Sequence, residues 1–385
     1  MRWHILTGEY PPHEGGVADY TQLVGRGLAK AGDAVSVWAP ALESATDVHG
    51  VTVHGLPDHF GARSLALLVR ALAAEDEPYR LLVQYVPHAF GWKGSNVPFC
   101  LWLRSQGRAH VWVMFHEVAF PISRHQRLAE NGLGIVTHGM AAIVASAAER
   151  AFVSIPAWEP MVRRAAAPMT PVEWMPVPSA IAVDANEAEV ARLRVHYAAH
   201  APLIGHFGTF GRLIRPLLFD AVPAVLQATG AGLLLIGRGS EDMAADMARR
   251  WPEHRDRIWG AGALDAPAVS HHVAACDLML QPYPDGVSSR RTSVMVALAH
   301  GRPVVTTTGP LTEQLWGQTM GIAACPVGDG DALARACAAC LAPSPEASWR
   351  SAAARALYAS QFDLRHTIAM LRAPDVTAPG ARRVS

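Results

Sequence analysis

The sequence predicts an α/β protein in two parallel-sheet halves, and three observations lead there. Apolar runs of strand length alternate with amphipathic stretches of helix length along most of the chain, which is the pattern of βα repeats. Residues 165–200 break that pattern, with Pro168, Pro171, Pro176 and Pro178 inside Ala165–Pro178, and a proline-rich crossing between two halves accounts for the break. The stretch Leu278–Thr307 holds one complete unit. It has an apolar strand (Leu278–Gln281), a Pro/Asp/Gly turn (Pro282–Gly286), a helix expected from Val287 to about His300, Gly301 as its stop, and a strand over Val304–Thr307.

Length and composition agree. At 385 residues two domains of ordinary size are expected, and a chain 50% hydrophobic with 17% charged residues builds a large core easily. The formal net charge is zero, so nothing global attracts nucleic acid, and no nucleic-acid-binding motif is present. Lysine stands only at Lys30 and Lys93, leaving arginine as the main cation. The five cysteines are an odd number, and Cys337 and Cys340 form a C-x-x-C inside an Ala-rich helical stretch without partner ligands; they read as reduced core residues. Met1–Thr7 is too short for a signal sequence, and no run reads as a membrane span. A cytoplasmic location is the resulting expectation.

In the first half, Ile5 and Leu6 belong to a strand that enters Gly8–Gly16. Val17, Tyr20, Val24 and Leu28 recur at helical spacing, Gly32 closes that helix, and Ala34–Ala39 follows as a strand. Val51–His54, Leu81–Tyr85 and Val111–Phe115 read as strands, with helices at Ala62–Ala74 and Val97–Gln106. A helical stretch at His125–Leu133 and a strand at Ala142–Ala145, ended by Ser146, complete the half. In the second half, strands are expected at Leu203–Phe207, Leu233–Ile236 and Ile258–Trp259, and helices at Pro216–Ala228, after Ser240 to about Arg250, and at Ala266–Cys276. Helices Asp331–Leu341, Pro345–Phe362 and Leu364–Leu371 come last, before a Pro/Gly/Arg-rich tail expected to be disordered. The predicted domains are therefore 1–178, 179–362, and a C-terminal return helix with its tail at 363–385.

The chemistry gathers where such sheets bind ligands, beyond the carboxyl ends of strands. The expected helix start after Gly286 offers backbone N–H groups, hydroxyls from Ser288, Ser289, Thr292 and Ser293, and the guanidinium groups of Arg290 and Arg291. That combination suits a phosphate or diphosphate, although serines at a helix start are most often caps and a surface arginine pair is usually just solvated. If both arginines are helical they point about 100° apart, so only one should face the anion squarely. Gly15-Gly16 before the first helix lets backbone approach a ligand, and that helix start favours an anion. It is not the G-x-G-x-x-G of dinucleotide proteins. His116 and Glu117 follow the strong strand Val111–Phe115.

Taken together, the order and spacing of several loose motifs resemble the retaining glycosyltransferases of family 4, over nearly the whole chain. The carriers are Glu9-Tyr10-Pro11-Pro12 with Gly15-Gly16, Phe115-His116-Glu117, Ser146, Val177-Pro178-Ser179, Gly208–Arg215, Gly237-Arg238-Gly239, and Ala297–Val305. The resemblance implies the GT-B fold, two Rossmann-like domains facing each other across a cleft. It implies a nucleotide-sugar donor held mainly by the C-terminal domain and an acceptor held mainly by the N-terminal one. By the same likeness Gly15 and Gly16 lie beside donor phosphates or acceptor, and His116 lies near the transferred sugar. Arg212 and Arg215 stand near the family's diphosphate-gripping Arg and Lys, with Arg215 in the Lys position. Gly237 and Arg238 join the donor side.

One departure matters. The family usually carries E-x7-E ahead of its Ala-x-Ala-x-Gly-x-Pro-Val-Val run, one Glu by the sugar and one by the ribose. The matching positions here are Ser288 and Val296, and Asp285 is the residue nearest to replacing the first. The implied activity is sugar transfer from a nucleotide-diphosphate donor to an acceptor hydroxyl with retention. His116 and Glu117 would be positioning groups in the catalytic centre, and no metal or cofactor is expected beyond the nucleotide-sugar itself, there being no D-x-D motif. The acceptor, whether glycan, lipid-linked or small molecule, is left open. The alternative is a non-catalytic GT-B protein that binds a sugar phosphate or a partner.

Overall fold

The computed structural model describes residues 1–13, 15–40, 46–184, 186–198 and 201–373. The first sheet is built along the chain from β1 (Arg2–Thr7), α1 (Gly16–Lys30), β2 (Ala34–Pro40), β3 (Thr46–Val48), β4 (Val51–Leu56), α2 (Ala62–Ala73), β5 (Tyr79–Tyr85), α3 (Val97–Ser105), β6 (Val111–Phe115), α4 (Leu128–Ala147), β7 (Arg150–Val153), α5 (Glu159–Ala165) and β8 (Val172–Trp174). Its strand order is β3-β4-β2-β1-β5-β6-β7-β8, and every pairing is parallel except β3 with β4. Helices cover both faces, so the central strands are apolar along their length and not only on alternate residues. Within β6, Val111, Val113 and Phe115 join one core cluster while Trp112 and Met114 join the cluster on the opposite face.

The second sheet follows from α6 (Glu187–Ala198), β9 (Leu203–Phe207), α7 (Arg215–Thr229), β10 (Gly232–Ile236), α8 (Ser240–Arg250), β11 (Ile258–Gly260), α9 (Ala266–Ala275), β12 (Leu278–Gln281), α10 (Thr292–Ala299), β13 (Val304–Thr308), β14 (Ile322–Pro326) and α11 (Gly330–Leu341). The order is β11-β10-β9-β12-β13-β14, all parallel. After α12 (Glu346–Leu357) and a π turn at Tyr358–Phe362, α13 (Leu364–Arg372) returns to pack on α1. Arg372 pairs with the buried Asp33 at 3.1 Å, and Arg150 donates to the Met370 carbonyl at 3.2 Å. In both sheets the strand order reverses beside the first strand, at β1/β5 and at β9/β12. Crevices at such reversals take ligands at the carboxyl ends.

Five expectations change. The separate helix at 125–133 and strand at 142–145 are one helix, α4; the true strand is β7, Ser146 lies inside the helix, and the residue at the strand end is Ser154. A short apolar run is ambiguous between buried helix and buried strand, and here Met140, Ala141, Val144 and Ala145 pack at helical spacing into the core. As a 20-residue helix of mean hydropathy 1.2, α4 also corrects the expectation that no run reaches the length of a membrane span, by length and composition alone. The proline-rich crossing is not only a linker: it supplies β8 as an edge strand and is followed by α6. Strands β3 and β14 were not anticipated. The helix expected from Val287 begins at Thr292. Before it, Val287 N–H bonds the Thr307 carbonyl at 2.8 Å and the Ser289 carbonyl accepts from Val177 N–H at 3.0 Å, so this chain runs toward the other domain instead of coiling. The tail beyond residue 373 lies outside the described residues.

Candidate functional site

The loop leaving β12 is where the halves meet. It is fixed first from within its own domain. Thr307 Oγ1 accepts from Tyr283 N–H at 2.7 Å and lies 2.6 Å from the Tyr283 carbonyl. Glu313, in the loop after β13, accepts from Ser289 N–H at 2.9 Å through Oε1 and from Trp316 Nε1 at 2.6 Å through Oε2. The Ser289 hydroxyl then reaches the first domain: Oγ lies 2.7 Å from the Ser154 carbonyl and accepts from Trp174 Nε1 at 3.0 Å.

Arg290 comes next. Its guanidinium pairs with Glu117 of the first domain at 3.1 Å and with Asp285 of its own loop at 2.5 Å, over the Trp158 ring at 5.3 Å. Arg291 pairs with the other oxygen of Asp285 and lies 4.5 Å from the Tyr283 ring centroid. Because Arg290 precedes the helix, the expected 100° divergence does not occur, and both arginines converge on one carboxylate. The cationic cluster is thus neutralised by Asp285 and Glu117. It nevertheless carries unmet capacity: Arg290 Nε, Arg291 Nε and Ser288 Oγ are buried without partners. Buried polar atoms left unpaired are costly and mark a place where another group belongs. Ser293 bonds the Tyr283 hydroxyl at 2.7 Å, Thr292 opens α10, and no side chain caps that helix.

Across from this loop, β6 delivers His116. It is only 7% exposed, its Nε2 lies 2.8 Å from Gln84 Oε1, and its ring meets Tyr20 edge-on at 4.7 Å. Burial pushes its pKa down to about 3, so the imidazole is neutral at ordinary pH. With Gln84 Oε1 as acceptor, Nε2 carries the proton and Nδ1 the lone pair. Gln84 Nε2 and the Tyr20 hydroxyl are also buried and unpartnered beside it. Glu117 is half-exposed and engaged with Arg290.

The Gly15-Gly16 turn behaves differently from the expectation. The first-turn amides of α1 are already taken: Glu9 Oε1 accepts from Val17 N–H at 3.0 Å and Ala18 N–H at 3.1 Å. A Cβ on Gly15 would lie 2.3 Å from that carboxylate, whereas one on Gly16 would meet nothing within 4 Å. The anion favoured by this helix start is therefore supplied by the chain itself, and Glu9 helps raise the pKa of Asp19, after burial as the larger cause.

Among the remaining candidates, Arg212 is exposed. Arg215 turns along its domain to pair with Asp246, which Arg249 shares, and packs over Phe219 at 5.1 Å. It does not join the Arg290 cluster. Gly237, at φ 119°, passes so close to the loop after β9 that a Cβ would fall 2.4 Å from the Gly208 carbonyl; Arg238 beside it is exposed. Val296 is in the core at 1% exposure.

Sequence reading missed Ser154, Gln84, Glu313, His206 and Gln281, all at or just beyond carboxyl ends of strands. His206 donates from Nδ1 to the Leu280 carbonyl at 2.8 Å, its Nε2 is unpartnered, and burial lowers its pKa to about 4. Gln281 donates to the Phe207 carbonyl at 3.1 Å and its Oε1 is unpartnered. The rule that ligands sit beyond strand ends would have found them once the strands were placed.

Comparison with known proteins fits this geometry. Residues 202–343, most of the second domain, match the family model described as glycosyl transferases group 1. No curated protein matches the chain significantly. Among solved structures, sucrose-phosphate synthase from Thermosynechococcus elongatus is similar at 18% identity and TM-score 0.71, covering 96% of this chain and 97% of its own. HepE of Anabaena, in complex with UDP and glucose, aligns at 16% identity and TM-score 0.66, covering 96% and 98%. WaaG, a glycosyltransferase involved in lipopolysaccharide biosynthesis, aligns at 15% and 0.67, covering 97% and 100%. The architecture is the GT-B fold.

Proposed function

We propose that this chain is a glycosyltransferase, moving a sugar from a nucleotide-diphosphate donor to an acceptor hydroxyl with retention of configuration. The observation that carries the reading is the meeting of Arg290 with Glu117, which sets the polar loop after β12 against the His116 edge of the first domain. Unpartnered donors at Arg290, Arg291 and Ser288 suit the oxygens of a diphosphate. The similar HepE structure holds UDP-glucose, so a UDP-hexose is the first donor to test.

In the step itself the acceptor oxygen forms a bond to the sugar C1 as the C1–O bond to the diphosphate breaks. The acceptor proton leaves for a departing phosphate oxygen. Arg290 and Arg291 stabilise the charge developing on that leaving group in a partly dehydrated site. His116, neutral and oriented by Gln84, offers a hydrogen-bonding lone pair to a sugar hydroxyl. Glu117 is held by a guanidinium, which suits positioning better than attack. Incubating the purified protein with UDP-glucose and following UDP release, with the product anomer read by NMR, tests the reading. No turnover or hydrolysis with UDP-, GDP-, ADP- or TDP-sugars would favour the non-catalytic alternative. That alternative draws on Val296 and on the capture of Asp285 by two arginines.

A further inference from the structure

A second basic site lies on the other end of the second sheet. A pocket of about 560 Å³ opens at the amino ends of β9, β12 and β13, lined by Arg194, Asp277, Arg302, Cys340, Ser348 and Ser351. The cleft is at the carboxyl ends of the same strands, so the length of β12, roughly 13 Å, separates the two. Arg194 donates to the Ala275 carbonyl at 2.9 Å and to Asp277 at 2.8 Å. Arg302 donates to the Cys276 carbonyl at 2.9 Å, and its Nε is buried without a partner. Arg355, exposed on α12, lies against Gly301 beside Arg302. Arg194 is thus paired with Asp277 and Arg302 interacts with the same carboxylate, which is itself shared with Leu203 N–H at 2.8 Å. The nearby Glu346 is engaged by Arg350 at 3.3 Å. Burial is the main force against the charge on Arg302; Cys276 and Asp277 favour it, and repulsion from Arg355 and Arg194 opposes it by smaller amounts. Capping the end of α9 explains one N–H of Arg194 and one of Arg302; it leaves the excess positive charge and the unpaired Nε unexplained.

We propose that this pocket binds a phosphoryl dianion through Arg194 and Arg302, with the Ser351 hydroxyl as a further donor and Arg355 beside them adding to the positive field. The site is separate from the cleft, and its existence does not depend on the activity proposed above. A ligand bound there covers Cys340, the one cysteine that is not buried.

Labelling with N-ethylmaleimide, read by peptide mass spectrometry, reports on that thiol. Inorganic phosphate, and separately glucose 6-phosphate, should slow Cys340 labelling relative to sodium chloride of equal ionic strength. Slowing should follow one plus the ratio of ligand to Kd, so about tenfold at roughly ten times Kd. The ligand that protects at the lower concentration identifies the source. Protection should vanish in Arg302→Met and in Ser351→Asp, which leaves every arginine in place, and should persist in the cleft variant Arg290→Ala. If neither ligand protects beyond the chloride control, if protection survives both pocket variants, or if Cys340 resists labelling without ligand, the proposal is overturned.

Discussion

Arg290 of the second domain and Glu117 of the first form an ion pair at 3.1 Å, while Asp285 holds the other side of the same guanidinium. A donor diphosphate must therefore compete with two carboxylates for Arg290. Charge-assisted hydrogen bonds contribute on the order of 1.5–3 kcal/mol, so Arg290→Ala should weaken nucleotide binding roughly ten- to a hundredfold. Glu117→Gln removes a competitor and should tighten it. Isothermal titration with UDP checks both signs; equal weakening in the two variants would mean that Glu117 helps the anion to bind.

His116→Asn should lower turnover roughly a hundredfold, the scale seen when one preorganised polar contact to a reacting centre is removed. The melting temperature should change little, since asparagine keeps a polar partner for Gln84. A variant that melts early, or that keeps full turnover, would remove His116 from the reaction centre.

Acid should destabilise the fold before carboxylates protonate. Burial lowers the pKa of His116 to about 3 and of His206 to about 4, against 6.5 for the free side chain. Between those values the unfolded chain binds protons that the folded chain refuses. The stabilisation is complete above pH 6.5 and is lost as pH falls, by on the order of 1 kcal/mol per pH unit for each group. Urea midpoints from pH 7 to 4.5 should fall, and His206→Gln should flatten the slope. A flat wild-type profile contradicts the buried neutral imidazoles.

With Val296 in the core, phosphate contacts should carry most of the donor affinity. Uridine alone should bind very weakly beside UDP, and a 2′-deoxy donor should be used within about threefold of the ribose form, a difference worth less than 1 kcal/mol. Strong discrimination against the deoxy donor, measured as kcat/KM, would show that another side chain holds the ribose.

The alternation of strands and helices was legible because each parallel strand is buried on both faces and reads as a short apolar run, as Val111–Phe115 does. The same property made Ala142–Ala145 look like a strand, since local hydrophobicity does not separate a buried helix turn from a buried strand. The candidate loop at 285–293 was visible from composition, but its conformation was not. Ser289 is drawn out of the helix by Ser154, Trp174 and Val177, partners more than 100 residues away. The partner of Arg215 was hidden for a related reason: Asp246 lies on α8, 31 residues along the chain, and only the fold brings the two together. Glu313 and Gln84 belong to no motif; Gln84 gets its role from the carboxyl-end stretch of β5 and Glu313 from the loop after β13.

Ser289 also determines how the two lobes can part. Its carbonyl accepts from Val177 N–H, its hydroxyl sits against Ser154 and Trp174, and its own N–H is fixed by Glu313. A residue tied to both lobes by backbone and side chain is where an opening motion would pivot. Displacement is then smallest at Arg290 and grows outward. In the first sheet β1, with its Gly15-Gly16 turn, lies three strands beyond β7, a lever arm of about 14 Å at the usual strand spacing. If the lobes open in this way, the outer lip widens first, while the loop at Arg290 keeps nearly the same geometry.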